Sequence, residues 1–410
     1  MSVTLADIVA ARKVIEGVVN KTPVLFDERL SGQLGAKIYL KAECLQRAGA
    51  FKIRGAYNTI SQLSDEEKRR GVVTGSAGNH AQAVALAAKL LNIKATIVLP
   101  EFAPLTKVVA TRSYGAEAIL HGKTFDEAVA YSRQLEKEHG YTYVHAFDDE
   151  RVIAGQGTIG CEIAEVLPNV TTVVVGIGGG GIISGIAIAM KTIIPDVRVV
   201  GVQAAHVSSI KPSLEAGHPV VADAKPTIAD GIAVKRPGEK TLPIIRELVD
   251  DVVTVTEEEL AAGVFHCAQN AHIVVEGAGA AAVAALISKK IEVSEDDVVC
   301  AVLAGGNIDG NLLARVIEQV LVRQGRYIVF KLLVLDRPGS LAAMLEEVAA
   351  SGANVVEVNH QRAIWLAPLG YTGIEMILEV RDEGHGRAVH KHLEDAGYHV
   401  EREGQGDWEE

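Results

Sequence analysis

Lys52 stands between Phe51 and Ile53 in AGAFKIRGAYN, where an apolar stretch is about to enter a helix. A lysine with apolar neighbours gives up its proton more readily, and the free amine is a nucleophile suited to Schiff-base chemistry. The same residues are also compatible with an ordinary snorkelling lysine. Further along, TTVVVGIGGGGIISGIAIAMK runs an apolar strand into four consecutive glycines, Gly178, Gly179, Gly180 and Gly181, followed by Ile182 and a helical stretch. Glycines let backbone N–H groups approach an anion, and the helix N-terminus behind them adds a favourable dipole, so the loop suits a phosphate. A purely structural glycine turn is the plainer alternative.

Gly176 to Gly181 also satisfies GxGxxG, and Asp196 lies 20 residues beyond Gly176. In a dinucleotide fold the acid closes the second strand, whereas here the next strand, RVVGVQ, begins after Asp196 and ends at Gln203. A compact phosphate monoester therefore fits better than NAD. In GSAGNHAQAVALAAKLL a strand ends in Ser76, Ala77, Gly78, Asn79 and His80 and passes into a helix, whose free N–H groups suit a carboxylate. Ser76 or Asn79 could equally be a simple N-cap.

The elements that must position these residues follow from periodicity. From about Ala36 to Val322, short β-branched runs (AKIYLKAE, GVVTGS, ATIVLP, EAILHG, YTYVHA, TTVVVGI, RVVGVQ, DVVTVT, VVCAVLAG) alternate with helical stretches such as FDEAVAYSRQLEKEH and AGAAAVAALISKK. This is the rhythm of parallel sheets covered by helices, and the strands are too numerous for one simple sheet. Two α/β lobes with a ligand cleft between them are expected. After VLVRQGR the order becomes strand, helix, strand, strand, helix, strand up to about Arg402, the βαββαβ pattern of a ferredoxin-like unit. The acidic tail, residues 403–410, is expected to be disordered.

AGAFKIRGAYN, SAGNHAQ, VIAGQGTIG, GGGGIISG, ADG, EGAGA and AGGNID follow one another along the chain. In that order they resemble the fold-type-II pyridoxal-phosphate enzymes, specifically the threonine dehydratase and serine racemase branch, over roughly residues 15 to 320. The resemblance implies a two-lobed, tryptophan synthase β-like catalytic domain over 1–322, with the smaller lobe at roughly 45–147, and pyridoxal 5'-phosphate as cofactor. Lys52 would hold the cofactor as a Schiff base and later act as the base at Cα. Phe51 would pack on the pyridine ring, Asn79 would bond its 3-hydroxyl, and Gly178 to Gly181 with Ile182 would hold the phosphate. Ser76, Ala77, Gly78, Asn79 and His80 would surround the substrate carboxylate, with Gly231, Glu276 and Ala304 beside the ring. The implied reaction is elimination from L-threonine to 2-oxobutanoate and ammonia, and from L-serine to pyruvate.

Two residues depart from the family pattern. Ala304 stands where Ser commonly meets the pyridine nitrogen, and Ala50 where Ser is usual before Phe-Lys. Serine racemases of this branch carry a Ser where this chain has Ala77, and bind a divalent cation through a carboxylate where this chain has Gln203, followed by Ser208 and Ser209. Racemisation thus lacks its partner acid, and no metal is expected there. Racemase or β-replacement chemistry remains the alternative within the fold, a non-catalytic amino-acid sensor the alternative outside it, and a nicotinamide dehydrogenase the third.

The segment VLDRPGSLAAMLEEVAASGANVVEVNHQR resembles an ACT domain spanning about 326–402. This implies an amino-acid effector, isoleucine or valine, near Pro338, Gly339 and Asn354, or dimerisation without a ligand. Composition limits the partners: 52 acidic against 40 basic residues give a formal charge of −12, which disfavours nucleic acid and anionic membranes. No stretch is long and apolar enough to span a membrane, and Cys44, Cys161, Cys267 and Cys300 are too far apart for a CxxC site or a disulfide framework. A cytoplasmic homo-oligomer, dimer or tetramer, is expected. His385, His390 and His392 read as a solvated helix face, and Asp148 and Asp149 as turn and cap residues.

Overall fold

Strands buried on both faces read as unbroken Val/Ile runs, because helices cover a parallel sheet above and below. Thr172–Gly176 and Val298–Val302 are such strands, with every residue buried. They form the centre of a six-stranded sheet in a computed structural model that describes residues 3–361 and 368–403. In spatial order its strands are Val24–Phe26, Lys37–Lys41, Val298–Val302, Thr172–Gly176, Arg198–Ala204 and Asp251–Val255. Only the first pair is antiparallel. A second sheet, wholly parallel, orders Glu117–Leu120, Ala95–Leu99, Val72–Gly75 and Thr142–Tyr143. Both belong to one compact unit, Met1–Asp309. The short edge strand Val24–Phe26, half exposed, escapes the sequence reading because it is too brief to show a period.

One long helix ties the two lobes together. Glu150–Val166 contains VIAGQGTIG, and its three glycines lower its intrinsic helix propensity. Their value is close approach. A Cβ on Gly155 would fall 2.7 Å from the Arg54 carbonyl oxygen, in the helix that follows Lys52. On the other side, a Cβ on Gly185 would fall 2.4 Å from the Ile153 carbonyl oxygen and 2.5 Å from the Gly157 nitrogen. Gly185 lies in Gly181–Ile193, the helix that grows out of the glycine run. Helix 150–166 therefore packs against both the lysine helix and the glycine-loop helix, and fixes one relative to the other.

The second unit, Gly310–Glu410, begins with helix Gly310–Arg323, so the division falls ahead of the change in sequence rhythm near residue 322. It continues Tyr327–Leu335, Ser340–Ala350, Asn354–Gln361, Tyr371–Glu379, Glu383–Asp395 and His399–Arg402, which is strand, helix, strand, strand, helix, strand. The antiparallel sheet runs in the order Asn354–Gln361, Tyr371–Glu379, Tyr327–Leu335, His399–Arg402, a ferredoxin-like arrangement. Alternate residues Ile328, Phe330, Leu332 and Val334 bury against Met344, Val348, Val389 and Leu393 of the two helices. Arg362 and the tail 404–410, read from sequence as a strand end and a disordered segment, lie outside the described residues.

Replacing Gly185 with Ala forces a methyl group into this helix contact and should cost about 1–3 kcal/mol in urea unfolding. In the exposed helix Glu28–Leu34, Gly32→Ala meets nothing within 4 Å and should be neutral or stabilising. Equal midpoints for the two variants would show that the interhelical contact is looser than the structure has it.

Candidate active site

Helix Ile53–Ser61 starts immediately after Lys52, whose backbone is already helical. The Lys52 amine donates to the Ala146 carbonyl at 2.8 Å and lies 5.0 Å from the centre of the Phe51 ring. Burial pulls the ammonium down to about 8, and the negative charge of Glu276 only partly resists this. A substantial neutral fraction near physiological pH makes the amine a usable nucleophile and base.

Across from it, strand Val72–Gly75 ends and helix Asn79–Leu90 begins. The Asn79 amide donates to Glu276 Oε1 at 2.6 Å and accepts at 2.8 Å from Asn307, whose amide also donates to the Ala48 carbonyl at 2.8 Å. Two glycines let the backbone come close to this pair. A Cβ on Gly231 would lie 3.2 Å, and one on Gly305 2.3 Å, from Glu276 Oε1. Glu276 is 5% exposed, and burial, then Asp230, pushes its carboxyl up to about 7. Ala304, also buried, accepts the Phe51 N–H on its carbonyl at 3.2 Å, and Ala50 bridges Gly305.

The glycine loop has no room for side chains. A Cβ on Gly178 would lie 3.1 Å from Val234, and one on Gly179 2.4 Å from the Phe147 ring. Gly180 sits at φ +99°, and the helix starting at Gly181 presents N–H groups of Gly181, Ile182 and Ile183 that have no acceptor within the helix. Because Gly179 and Gly181 abut Phe147 while Lys52 bonds Ala146, loop and lysine border the same short segment. Gly178 in turn abuts Gly231, which closes the ring of residues back to Glu276 and Asn79.

Of the remaining residues singled out from sequence, Ser76 accepts the Gly78 N–H at 3.3 Å, and a Cβ on Gly78 would meet open space. His80 is 4% exposed and places Nε2 2.9 Å from the Val144 carbonyl. Burial, with the nearby Lys52, lowers it to about 3, so it is a neutral donor. Pro338 and Gly339 precede the N-terminus of helix Ser340–Ala350, while Asn354 lies beyond its C-terminus. The eleven-residue helix between them is about 16 Å long. His385 bonds the Ser351 carbonyl at 2.9 Å and His392 pairs with Glu347 at 2.8 Å.

Two features were not singled out from sequence. Asn307, inside AGGNID, orients Asn79. The second is a buried ion cluster: Lys41 reaches Glu162 at 2.5 Å, and Arg54 reaches Glu43 at 2.8 Å and Glu162 at 2.7 Å, with Lys41, Arg54 and Glu43 at 0% and Glu162 at 7% side-chain exposure. The available signal was the isolated charges within apolar segments such as KIYLKAE and GTIGCEIAEV.

An amine of lowered pKa, an amide–carboxylate pair against glycine backbone and a helix N-terminus that opens on a glycine run fit a phosphorylated pyridine aldehyde. A family model described as pyridoxal-phosphate dependent enzyme matches residues 15–305, and the chain belongs to that family. Within it, the chain is 47% identical over 398 residues to the L-threonine ammonia-lyase of Thermotoga maritima, covering 97% of this chain and 99% of the relative. Among solved structures, it matches the processed threonine deaminase isoform 2 of Solanum lycopersicum at TM-score 0.72 and 39% identity, over 77% of this chain and 91% of that one. Maize serine racemase matches at TM-score 0.74 and 36% identity, over 79% and 99%.

The raised Glu276 carboxyl has a measurable consequence in the cofactor-free protein. Its folded value lies above its unfolded one, so its contribution to stability is fully present at low pH and is lost as pH rises through about 4.5 to about 7. Glu276→Gln removes that loss, and should gain on wild type in urea midpoint across this window. A difference that stays constant with pH would show that the carboxyl titrates normally.

Proposed function

We propose that the chain is an L-threonine ammonia-lyase that converts L-threonine to 2-oxobutanoate and ammonia, and also L-serine to pyruvate. The carrying observation is the adjacency of Lys52, the glycine run and the Asn79–Glu276 pair, linked through the Ala146–Phe147 segment and Gly231. Bound pyridoxal phosphate supplies an electron sink that acidifies the substrate Cα–H. The Lys52 amine takes that proton, and its lowered pKa keeps it unprotonated often enough to do so. Ser76 to Gly78 and the N-terminus of helix 79–90 receive the carboxylate. His80, neutral and tied to the Val144 carbonyl, supports that loop without adding a charge. The water lost on elimination returns when the released enamine hydrolyses, so the net products are the 2-oxo acid and ammonia.

Ala77 favours this reading over racemisation, since its methyl group can move no proton. Buried, unpaired Cys44, Cys161, Cys267 and Cys300 support a reducing cytoplasm. Among the described residues no helix is long and apolar enough to cross a membrane. We take the ferredoxin-like unit to be an ACT-type regulatory domain for isoleucine or valine, in a homodimer or homotetramer. Because Gly339 and Asn354 lie at opposite ends of one helix, an effector touching both would have to bridge two copies of the unit.

The purified, cofactor-loaded protein should release 2-oxobutanoate from L-threonine, and Lys52→Ala should reduce turnover by several orders of magnitude. A yellow wild type that yields no 2-oxo acid from threonine or serine would overturn the assignment. Isoleucine or valine should shift the threonine saturation curve, and Asn354→Ala should remove that response while leaving the unliganded rate intact. A curve indifferent to both amino acids ends the effector proposal.

A further inference from the structure

The carbonyl of Gly179 is held from one side. Thr241, fully buried, donates its hydroxyl to that oxygen at 2.7 Å, and the Gly238 N–H reaches it at 3.3 Å. The Thr241 oxygen also accepts the Gly238 N–H at 3.1 Å. In a trans peptide the C=O and the following N–H point in opposite directions. Fixing the Gly179 carbonyl toward Thr241 therefore turns the Gly180 N–H away from Thr241. Gly180, at φ +99°, packs so closely that a Cβ there would lie 2.8 Å from Thr241.

Thr241 is itself anchored from a distant part of the chain. Asp148 Oδ1 accepts the N–H groups of Lys240 at 2.8 Å and Thr241 at 3.3 Å, while Oδ2 accepts that of Glu239 at 3.1 Å. The Asp148 carboxylate thus caps helix Thr241–Leu248 from outside it. The Asp148 N–H donates to His145 Nδ1 at 2.8 Å, and burial keeps that ring neutral and able to accept. Asp148 also approaches Gly238 so closely that a Cβ there would fall 2.1 Å from Oδ1.

We propose that Thr241, anchored by Asp148, is a positioning residue that orients the Gly179–Gly180 peptide so that the glycine loop presents its N–H groups to a phosphate. This rests on the pyridoxal-phosphate reading of the site. The role belongs to the phosphate end of the cofactor, because the hydrogen bonds of both side chains go to the Gly179 loop and the 238–241 turn. It requires a hydroxyl at 241 and a carboxylate at 148, and no charge change at the reacting atoms.

The test is to strip the holoenzyme and titrate wild type, Thr241→Val, Thr241→Ser and Asp148→Asn with pyridoxal phosphate and, separately, with pyridoxal, which lacks the phosphate. Thr241→Val should weaken pyridoxal phosphate binding about tenfold while changing pyridoxal binding by less than about twofold. Thr241→Ser should recover wild-type affinity, and the phosphorus resonance of the bound cofactor should move in the Val variant only. Asp148→Asn should show the same selective loss, and decides the matter if the Val variant does not fold. Unchanged cofactor affinity in the variants, or equal weakening for both ligands, would overturn the proposal. A wild type that takes up neither ligand would instead overturn the cofactor reading on which it rests.

Discussion

Two cations and two anions packed together without solvent hold the start of the helix that carries Lys52. Arg54 lies two residues beyond the lysine and joins Glu43, next to the large-sheet strand Lys37–Lys41, to Glu162 in the glycine-rich helix. Lys41 completes the set through Glu162 and the Thr22 carbonyl at 2.7 Å. Such a cluster is a poor source of net stability, because desolvation offsets much of the attraction. Its strength is direction. The planar guanidinium accepts only a few arrangements of carboxylates, so it fixes the helix start in angle as well as position. Apolar packing of the same volume would let that turn slide, and a lysine at the end of four rotatable bonds would magnify the error.

The dry site has a second electrostatic effect. Burial pushes Lys52 and Glu276 in opposite senses on the pH scale, the amine down to about 8 and the carboxyl up to about 7, and both shifts favour the uncharged form. Each charge would steady the other, so the pair resists losing both at once. Asp230 adds a field that favours the neutral carboxyl, and Lys107, which pairs with Asp230 and lies on helix Leu105–Ser113 of the smaller lobe, counters it. The protonation state of Glu276 therefore depends on a contact made from the other lobe.

What the sequence made legible was local. The nine β-branched runs between residues 36 and 304 all form strands, and the glycine run and SAGNH both sit at strand-to-helix turns, because periodicity and glycine spacing act over a few residues. Long-range partnerships were invisible. Asp148 was readable only as a cap, and it is one, but for a helix more than ninety residues away. VIAGQGTIG was readable as a motif and not as the middle of a 17-residue helix, since its glycines argue against helix until the close approach of two neighbours is known. Ala304 shows the converse. Its side chain departs from the family pattern, yet its carbonyl still holds the Phe51 N–H, so the main-chain framework around Lys52 does not depend on the missing hydroxyl.

The similarity to both a threonine deaminase and a serine racemase means that the fold alone cannot assign the reaction. The distinction must come from the few side chains that differ in kind. Ala77 leaves a methyl group in the loop ahead of Asn79, a side chain that can neither give nor take a proton. Gln203, fully buried, spends its carbonyl oxygen on the Ile210 N–H at 2.9 Å and the Ser208 hydroxyl at 3.3 Å. The turn after strand Arg198–Ala204 is thus held through the Gln203 side-chain oxygen, which takes one main-chain and one hydroxyl donor. Neither residue alters Lys52 or the glycine loop. Elimination would call for a base at Cα, an electron sink and a proton for the departing hydroxyl, but for no second acid at Cα, so Ala77 is no obstacle to it.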